Sequence, residues 1–356
     1  MTRPNGFALV LVLWVLSLLT IMAGSFALSM RREAAIVAGS SSNARGMAIA
    51  ESGLALAGLM LSHPDPLQRW RTDSSIYQVD YADAKLRIQL LAETGKIDIN
   101  SADQVLLQEL MTQTPLESEA QTRLVNAILD WRDADDLVRI DGAEKKEYKT
   151  AGLSYQPRNK PFQSIEELQL VLGMNEQVFK SLENLITIYS GQPKVDLAQA
   201  PKDVLQILPG MDASVVDAYI SARRDNAING LPAPALVLSD GVYSLNPTQP
   251  GAAAGSPGNL KTGQQGGAFG GNMPGTANTA NTAPGLPGAV TVISEALLDD
   301  DSTATLKVLV KKTDAAGGVP FQILKWQRNP SADESLFTDQ KDESLVRQYA
   351  EPQFND

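Results

Sequence analysis

The chain has 356 residues, of which 43% are hydrophobic and 20% are charged, so it is long enough to bury two or three cores. Its net charge is −11, which is opposite to that of a protein that binds the phosphates of nucleic acids. It has no cysteine and one histidine, His63, which excludes disulfides, thiolate metal sites, cysteine nucleophiles and a multi-histidine site within one chain.

The first predicted element is a membrane-spanning helix. Residues 7–30 carry no charge and would form a helix about 36 Å long, enough to cross a bilayer with some tilt. Arg31 and Arg32 end the apolar run, but Arg3 precedes it, so the flanking charges do not determine its orientation. Three interpretations remain open: a cleaved secretory signal, a plain signal anchor, or a short leader, residues 1–6, that is removed between Gly6 and Phe7.

The same helix is predicted to continue through residues 31–63. No proline occurs between Pro4 and Pro64, and proline is the residue that most reliably ends a helix. Glycine recurs every five to seven residues in this part, which permits close packing against other helices. After it, residues 76–81 and 86–91 alternate between apolar and polar like two strands.

Residues 96–240 are predicted to form an α-domain of two helical units, about 96–190 and 191–240. A short repeat opens each unit, at residues 96–102 and 194–200, and an apolar segment follows each time. The units resemble helix-hairpin-helix or SAM-like modules, whose Leu-Pro-Gly turn, here Leu208-Pro209-Gly210, can bind a DNA backbone. Residues 194–225 carry four basic and five acidic side chains, which argues against phosphate binding.

An acidic loop lies within the first unit. Five carboxylates fall within twelve residues: Asp133, Asp135, Asp136, Asp141 and Glu144. Carboxylates this close repel one another unless a cation or basic side chains neutralise them. Leu137 and Val138 stand where an EF-hand needs an oxygen ligand and a glycine, so the loop is not an EF-hand. A looser calcium site, a solvated loop paired with Arg132, Arg139, Lys145 and Lys146, and a catalytic carboxylate pair are the three interpretations, the last without any sign of a substrate pocket.

The remaining residues are predicted to complete a sheet. Residues 245–288 are rich in Gly, Pro, Asn and Thr and should form a disordered loop, because they cannot bury enough apolar surface. Residues 290–298, 305–311 and 321–326 follow as strands. Together with the two early strands they would form an antiparallel sheet, built from residues 64–95 and 289–330 and packed on the helix. Residues 331–356 are expected to be a loose polar tail.

Several motifs, in this order, resemble the K-type minor pseudopilins of type II secretion systems. The matching segments are Gly95-Lys96-Ile97-Asp98-Ile99-Asn100, Asp130-Trp131-Arg132-Asp133-Ala134-Asp135-Asp136, Gly142-Ala143-Glu144 and Pro320-Phe321-Gln322-Ile323-Leu324-Lys325-Trp326. Gly6-Phe7 resembles a prepilin cleavage site. Most pilins carry Glu at the fifth residue after that site, whereas this chain has Leu11, a departure that the K-type family shares. A subunit with no neighbour above it does not need that buried charge.

The resemblance implies an α+β fold, in which a pilin-like N-terminal helix and antiparallel sheet carry a large inserted all-α domain. It implies cleavage between Gly6 and Phe7 by prepilin peptidase, methylation of the Phe7 amine, and a structural calcium ion in the acidic loop.

The expected role is also implied by the resemblance. The chain would cross the bacterial inner membrane once, contact its lipid, and hold most of its residues in the periplasm. With I-type and J-type minor pseudopilins it would initiate or cap the pseudopilus that exports folded proteins across the outer membrane, with no enzymatic activity. The rival hypothesis is a membrane-anchored periplasmic DNA receptor; the acidic composition predicts no nucleic-acid partner.

Overall fold

The computed structural model describes residues 7–65, 68–229, 231–235, 288–313, 321–330, 335–338, 341 and 345–350. The predicted leader, residues 1–6, lies outside the described residues. The same is true of the predicted disordered loop except for Gly288, of residues 236–240 of the predicted α-domain, and of much of the predicted tail.

The described residues include seven α-helices and eight strands. The helices are α1 (Phe7–Leu61), α2 (Gln104–Met111), α3 (Ser118–Arg132), α4 (Lys145–Thr150), α5 (Glu176–Leu182), α6 (Lys202–Leu205) and α7 (Ala213–Ile228). The strands are β1 (Asp73–Asp80), β2 (Ala84–Ala92), β3 (Ile97–Asp98), β4 (Ile186–Thr187), β5 (Ala289–Leu298), β6 (Thr303–Lys312), β7 (Phe321–Arg328) and β8 (Leu345–Ala350).

Helix α1 has 55 residues and packs on the sheet only through its C-terminal part. The contact face recurs at three- and four-residue intervals and includes Ala50, Gly53, Ala57 and Leu61, as expected for one side of a helix. Gly53 allows the closest approach, since a Cβ there would lie 2.2 Å from the Ser294 hydroxyl. The predicted α+β architecture, a long N-terminal helix with a sheet, is confirmed.

The main sheet has six strands in the order β7-β6-β5-β2-β1-β8. All neighbouring pairs are antiparallel except β1 and β8, which are parallel. Strand β8 lies in the region expected to be a loose tail, so part of that region is ordered. The segment before it is anchored, because Leu336 is fully buried beside Ile76 and Ile293, and Glu295 accepts a hydrogen bond from its backbone N–H.

The inserted domain has its own hydrophobic core and differs from the expected all-α domain in one respect. Strands β3 and β4 form a short parallel pair, in which the N–H groups of Ile97 and Ile99 donate to the carbonyls of Leu185 and Thr187. This pair joins the two ends of the first helical unit. Each strand is only two residues long, which is too short for an alternating pattern to be visible in the sequence.

The repeat found in the sequence has a counterpart in hydrogen bonding. Arg132, at the end of α3, donates to the carbonyls of Ile99 and Ala102. Arg223, in α7, donates to the carbonyls of Leu197 (3.2 Å) and Ala200 (2.8 Å). Those acceptors occupy the same positions of residues 96–102 and 194–200. Each arginine therefore closes its own unit by binding the turn that opens it.

Buried polar contacts hold the inserted domain on the sheet. Glu93 pairs with Lys96 at 2.8 Å and accepts hydrogen bonds from Thr187 of β4 and Thr291 of β5. Burial would raise the pKa of Glu93, but the charge and hydrogen bond of Lys96 and the two threonine hydroxyls outweigh it, so the pKa is lowered. Arg223 adds a second link through the Asp73 carbonyl, at 3.1 Å.

Candidate functional site

The N-terminal part of α1 is the first candidate functional region. Among the described residues, α1 is the single helix that is long and apolar enough to cross a membrane. Its apolar side chains are exposed in the isolated chain, including Leu11, 54% of whose surface is accessible. Phe7 is the first residue of the helix, whereas Gly6 lies outside the described residues. One apolar N-terminal helix of this kind suits a single-pass membrane anchor.

The acidic loop between α3 and α4 is the second candidate, and Asp130 organises it. Asp130 lies in the last turn of α3 with a fully buried side chain. Its Oδ2 atom accepts hydrogen bonds from the backbone N–H groups of Arg139 (3.3 Å) and Ala143 (2.9 Å). The sequence analysis placed Asp130 in a motif of the resemblance but not among the site residues, although its place beside Trp131 on an otherwise apolar helix segment is a signal that it is buried.

One basic side chain from the loop itself partly neutralises these acids. The Arg139 guanidinium lies 3.2 Å from Asp130 Oδ1 and 2.6 Å from Asp133 Oδ2. The hypothesis of internal pairing is therefore correct for Arg139. Arg132 instead hydrogen-bonds the backbone carbonyls described above.

Four buried oxygen atoms at this site lack a hydrogen-bond partner within the described part of the chain. They are both carboxylate oxygens of Glu144, Oδ1 of Asp133 and Oδ1 of Asn159. The Glu144 carboxylate does lie at the N-terminus of α4, where it forms a capping box with Glu147, but its contacts with the backbone N–H groups there are too poorly aligned to count as full hydrogen bonds. A buried oxygen left unpaired costs free energy, so each carboxylate oxygen needs a proton, a hydrogen-bond donor or a ligand, and the Asn159 amide oxygen needs a donor or a ligand. Asn159 was not among the predicted metal ligands, because it lies fifteen residues beyond Glu144 and only the fold brings it to the loop.

The electrostatics of Glu144 reflect this environment. Burial raises its pKa to about 7, and the negative charges of Asp130, Asp133 and Asp136 add to the effect. Burial also raises the pKa of Asp130, despite the opposing hydrogen bonds from the Arg139 and Ala143 backbone and the Arg139 charge. The site is thus short of positive charge, which is the condition that a bound cation would relieve.

The other predicted ligands are exposed or have hydrogen-bond partners of their own. Asp135 accepts a hydrogen bond from the Leu137 N–H, and Asp136 accepts one from the Asn159 side-chain amide at 2.9 Å. Asp141 is exposed and has a left-handed backbone, with φ of 59°. No three acidic or histidine side chains in the described ranges converge closely enough to hold an ion as they stand. The unpaired oxygens of Asp133, Glu144 and Asn159 nevertheless fit calcium, which prefers carboxylate and amide oxygens.

A cavity of about 320 Å³ lies apart from the acidic loop, between the sheet and the inserted domain. Its charged lining includes Lys96 and Lys325, which pair with Glu93 and Glu166 respectively. None of the five predicted carboxylates lines it. This cavity therefore does not supply a substrate pocket for the acidic loop.

An acidic side chain, that of Asp212, follows the Leu208-Pro209-Gly210 turn that could have bound DNA phosphates. Asp212 caps α7, accepting a hydrogen bond from the Val215 N–H at 3.0 Å. Hydrogen bonds from Ser214 and Val215 lower the pKa of this carboxyl, so it stays charged at the helix N-terminus. A DNA phosphate would need the same backbone N–H donors, so it would have to displace this carboxylate from them.

Comparison with known proteins finds similarity to type II secretion system protein K. Residues 84–191 match the family model described as type II secretion system (T2SS), protein K. Over 199 residues the chain is 27% identical to type II secretion system protein K of Klebsiella pneumoniae, covering 51% of this chain and 61% of that protein. Over 209 residues it is 26% identical to the protein of the same name from Aeromonas hydrophila, covering 51% and 62%.

The chain thus matches about three fifths of the length of these two relatives. A chain of the GspK-GspI-GspJ complex from the enterotoxigenic Escherichia coli type 2 secretion system is similar with a TM-score of 0.47 and 14% identity, covering 82% of this chain and 99% of that chain. The family resemblance inferred from the sequence motifs is confirmed by the family model, which includes the acidic loop.

Proposed function

Since residues 84–191 match the family model of type II secretion system protein K, we propose that the chain is a minor pseudopilin at the tip of the secretion pseudopilus. In this role it initiates or caps the filament that exports folded periplasmic proteins across the outer membrane. The observation that carries the proposal is the family match over strand β2 and the first helical unit, in a chain that also has a long apolar helix. The proposed work is mechanical and involves no chemistry on a substrate.

The membrane helix provides the anchor in this proposal. The segment before Arg31 crosses the bacterial inner membrane once, and the sheet and inserted domain lie in the periplasm. Prepilin peptidase cleaves between Gly6 and Phe7 and methylates the new amine. The absence of Glu at Leu11 fits a subunit above which no neighbour is added, because a buried carboxylate would there lack its partner amine.

The partners in this proposal are the I-type and J-type minor pseudopilins. The exposed apolar N-terminal part of α1 is the surface available to their helices, since the sheet covers the helix only in its C-terminal part, around Gly53. The inserted domain is bulky and is linked to the sheet by hydrogen bonds of Glu93 and Arg223. It therefore blocks the addition of a further subunit above it by steric exclusion.

Calcium is proposed as a structural ion of the inserted domain. Asp133, Glu144 and Asn159 supply the unpaired oxygens that would hold it. The ion would supply the positive charge that the acidic loop lacks. The fully buried Asp130 then keeps its role of fixing the loop backbone through the N–H groups of Arg139 and Ala143.

The proposal is tested by complex formation in membranes. The full chain is expressed with the I-type and J-type minor pseudopilins and purified in detergent through a tag on this chain. We expect both partners to co-purify, and we expect secretion to stop when the chain is deleted from the cells. An unrelated single-span membrane protein with the same tag is the control. Recovery of neither partner, together with unimpaired secretion in the deletion strain, would contradict the proposal.

A further inference from the structure

Three large apolar side chains project into solvent from the acidic loop. Leu137, Val138 and Ile140 are 75%, 50% and 87% exposed, and they fall within four consecutive residues, which we call the loop tip (residues 137–140). Single exposed apolar residues are normal on a soluble surface, but a contiguous group of them marks an interaction site.

The backbone of this segment is held in place although its side chains are exposed. The Asn126 side-chain amide donates to the Ile140 carbonyl at 2.9 Å, and that of Asn159 donates to the Asp135 carbonyl at 2.6 Å. Asp130 accepts from the Arg139 N–H at 3.3 Å. The loop tip is therefore presented in a defined conformation, which reduces the entropy lost when a partner binds.

The charges around the loop tip define the partner that would fit. Asp135, Asp136 and Asp141 are exposed on both sides of it. The one basic residue between them, Arg139, is engaged by Asp130 and Asp133. The surface is thus an apolar centre with an acidic border, and complementary interfaces place opposite charges around an apolar contact. An anionic lipid surface would be repelled by the same border.

We propose that the loop tip is a docking surface for another protein, one that offers an apolar pocket bordered by Lys and Arg side chains. The large exposed side chains of Leu137 and Ile140 are the anchors, and the flanking acids orient the encounter. The docking surface is an inference beyond the proposed function. It rests on the proposed function only for the choice of cells in which it is tested.

Photo-crosslinking in secreting cells tests the contact. The full chain carries the probe p-benzoylphenylalanine in place of Ile140, or in place of Val105 of α2, which is 50% exposed and serves as the control. We expect a crosslink from position 140 to a protein, at a peptide with Lys or Arg beside apolar residues, and none of this kind from position 105. Adding Leu137→Ser should lower the yield from position 140 about tenfold.

Three results of the crosslinking experiment overturn the proposal. They are a yield at position 140 no higher than at position 105, crosslinks to lipid alone, and crosslinked peptides without basic residues. High salt should weaken the genuine contact, because its border is ionic.

A secretion assay separates failure of this surface from failure of the proposed function. The double variant Leu137→Ser/Ile140→Ser should lower secretion about fivefold at a normal chain level, whereas Val105→Ser should not. A double variant that secretes as well as the wild type, in cells where deletion of the chain stops secretion, overturns the docking surface and leaves the proposed function standing. If deletion has no effect, the proposed function is wrong, and the crosslinking result still decides the docking surface.

Discussion

Glu144 offers a sharp test of the proposed calcium site. Its carboxylate is buried close to three other acids, and its pKa is raised from 4.5 to about 7 by burial and by the charges of Asp130, Asp133 and Asp136. A raised pKa means that the folded chain binds the proton more tightly than the unfolded chain. The calcium-free chain should therefore lose stability as the pH rises from about 4.5 to about 7. The loss corresponds to about 3 kcal/mol of unfolding free energy.

The substitution Glu144→Gln removes the charge while keeping the shape of the side chain. We expect it to raise the unfolding free energy of the calcium-free chain at pH 8 by about 1 to 3 kcal/mol and to flatten the pH dependence. Calcium at about a hundred times its dissociation constant should stabilise the wild type by about 2.7 kcal/mol and the variant much less. Both effects have the same cause, because the variant lacks the buried negative charge that a proton or calcium would neutralise.

Urea unfolding of the full chain in detergent measures both effects, with chelator or calcium present at pH 5.5 and pH 8. Tryptophan fluorescence is a suitable signal, since Trp131 is buried beside the acidic loop. The matched control is Glu119→Gln, whose exposed carboxylate pairs with Arg123 and should change stability by less than about 0.5 kcal/mol. A loss of 1 kcal/mol or more for Glu144→Gln at pH 8 without calcium would refute the reasoning, because Glu144 would then have a stabilising partner.

Two further predictions concern how the fold is held together, and both use the same unfolding assay. Gly53→Ala should destabilise the chain, because overpacking against the sheet costs about 1 to 3 kcal/mol and exceeds the gain in helix propensity. Gly39→Ala has open space around it and should raise the unfolding free energy by up to about 1 kcal/mol. Equal effects at the two sites would contradict the packing described. Arg223→Ala should cost about 3 kcal/mol by leaving buried carbonyls unpaired. Arg224→Ala removes an exposed side chain whose hydrogen bond to the Leu345 carbonyl, at 3.3 Å, is open to solvent, and it should cost less than about 1 kcal/mol. A neutral Arg223→Ala would show that the repeat does not depend on this bond.

The sequence predicted the long helix and the five antiparallel strands because each has a strong local signal. The helix has an uninterrupted apolar composition without proline, and the strands alternate in the manner of half-buried sheets. Strand β8 was missed because its position depends on a distant contact. Its segment is held through Leu336, which is buried against strands far away in the chain, and no local pattern reports such an anchor.

The acidic loop shows the same limit at the level of a site. Its five carboxylates were visible from their density, and Asp133 and Glu144 do have buried, unpaired oxygens. Asp135, Asp136 and Asp141 are exposed instead. The course of the loop and its local turns determine where these side chains lie, and the spacing of the residues in the sequence does not reveal it. The contribution of Asn159 comes from a separate segment, and only the tertiary fold shows it.

The intact mass of the full chain tests the central claim, membership of the pilin-like filament, most directly. The chain is expressed with and without a prepilin peptidase, beside a known pseudopilin as a positive control. We expect the loss of residues 1–6 and the addition of one methyl group at Phe7, and only when the peptidase is present. An uncut chain, in cells that process the control pseudopilin, would contradict the proposed function and favour a membrane-anchored binding protein.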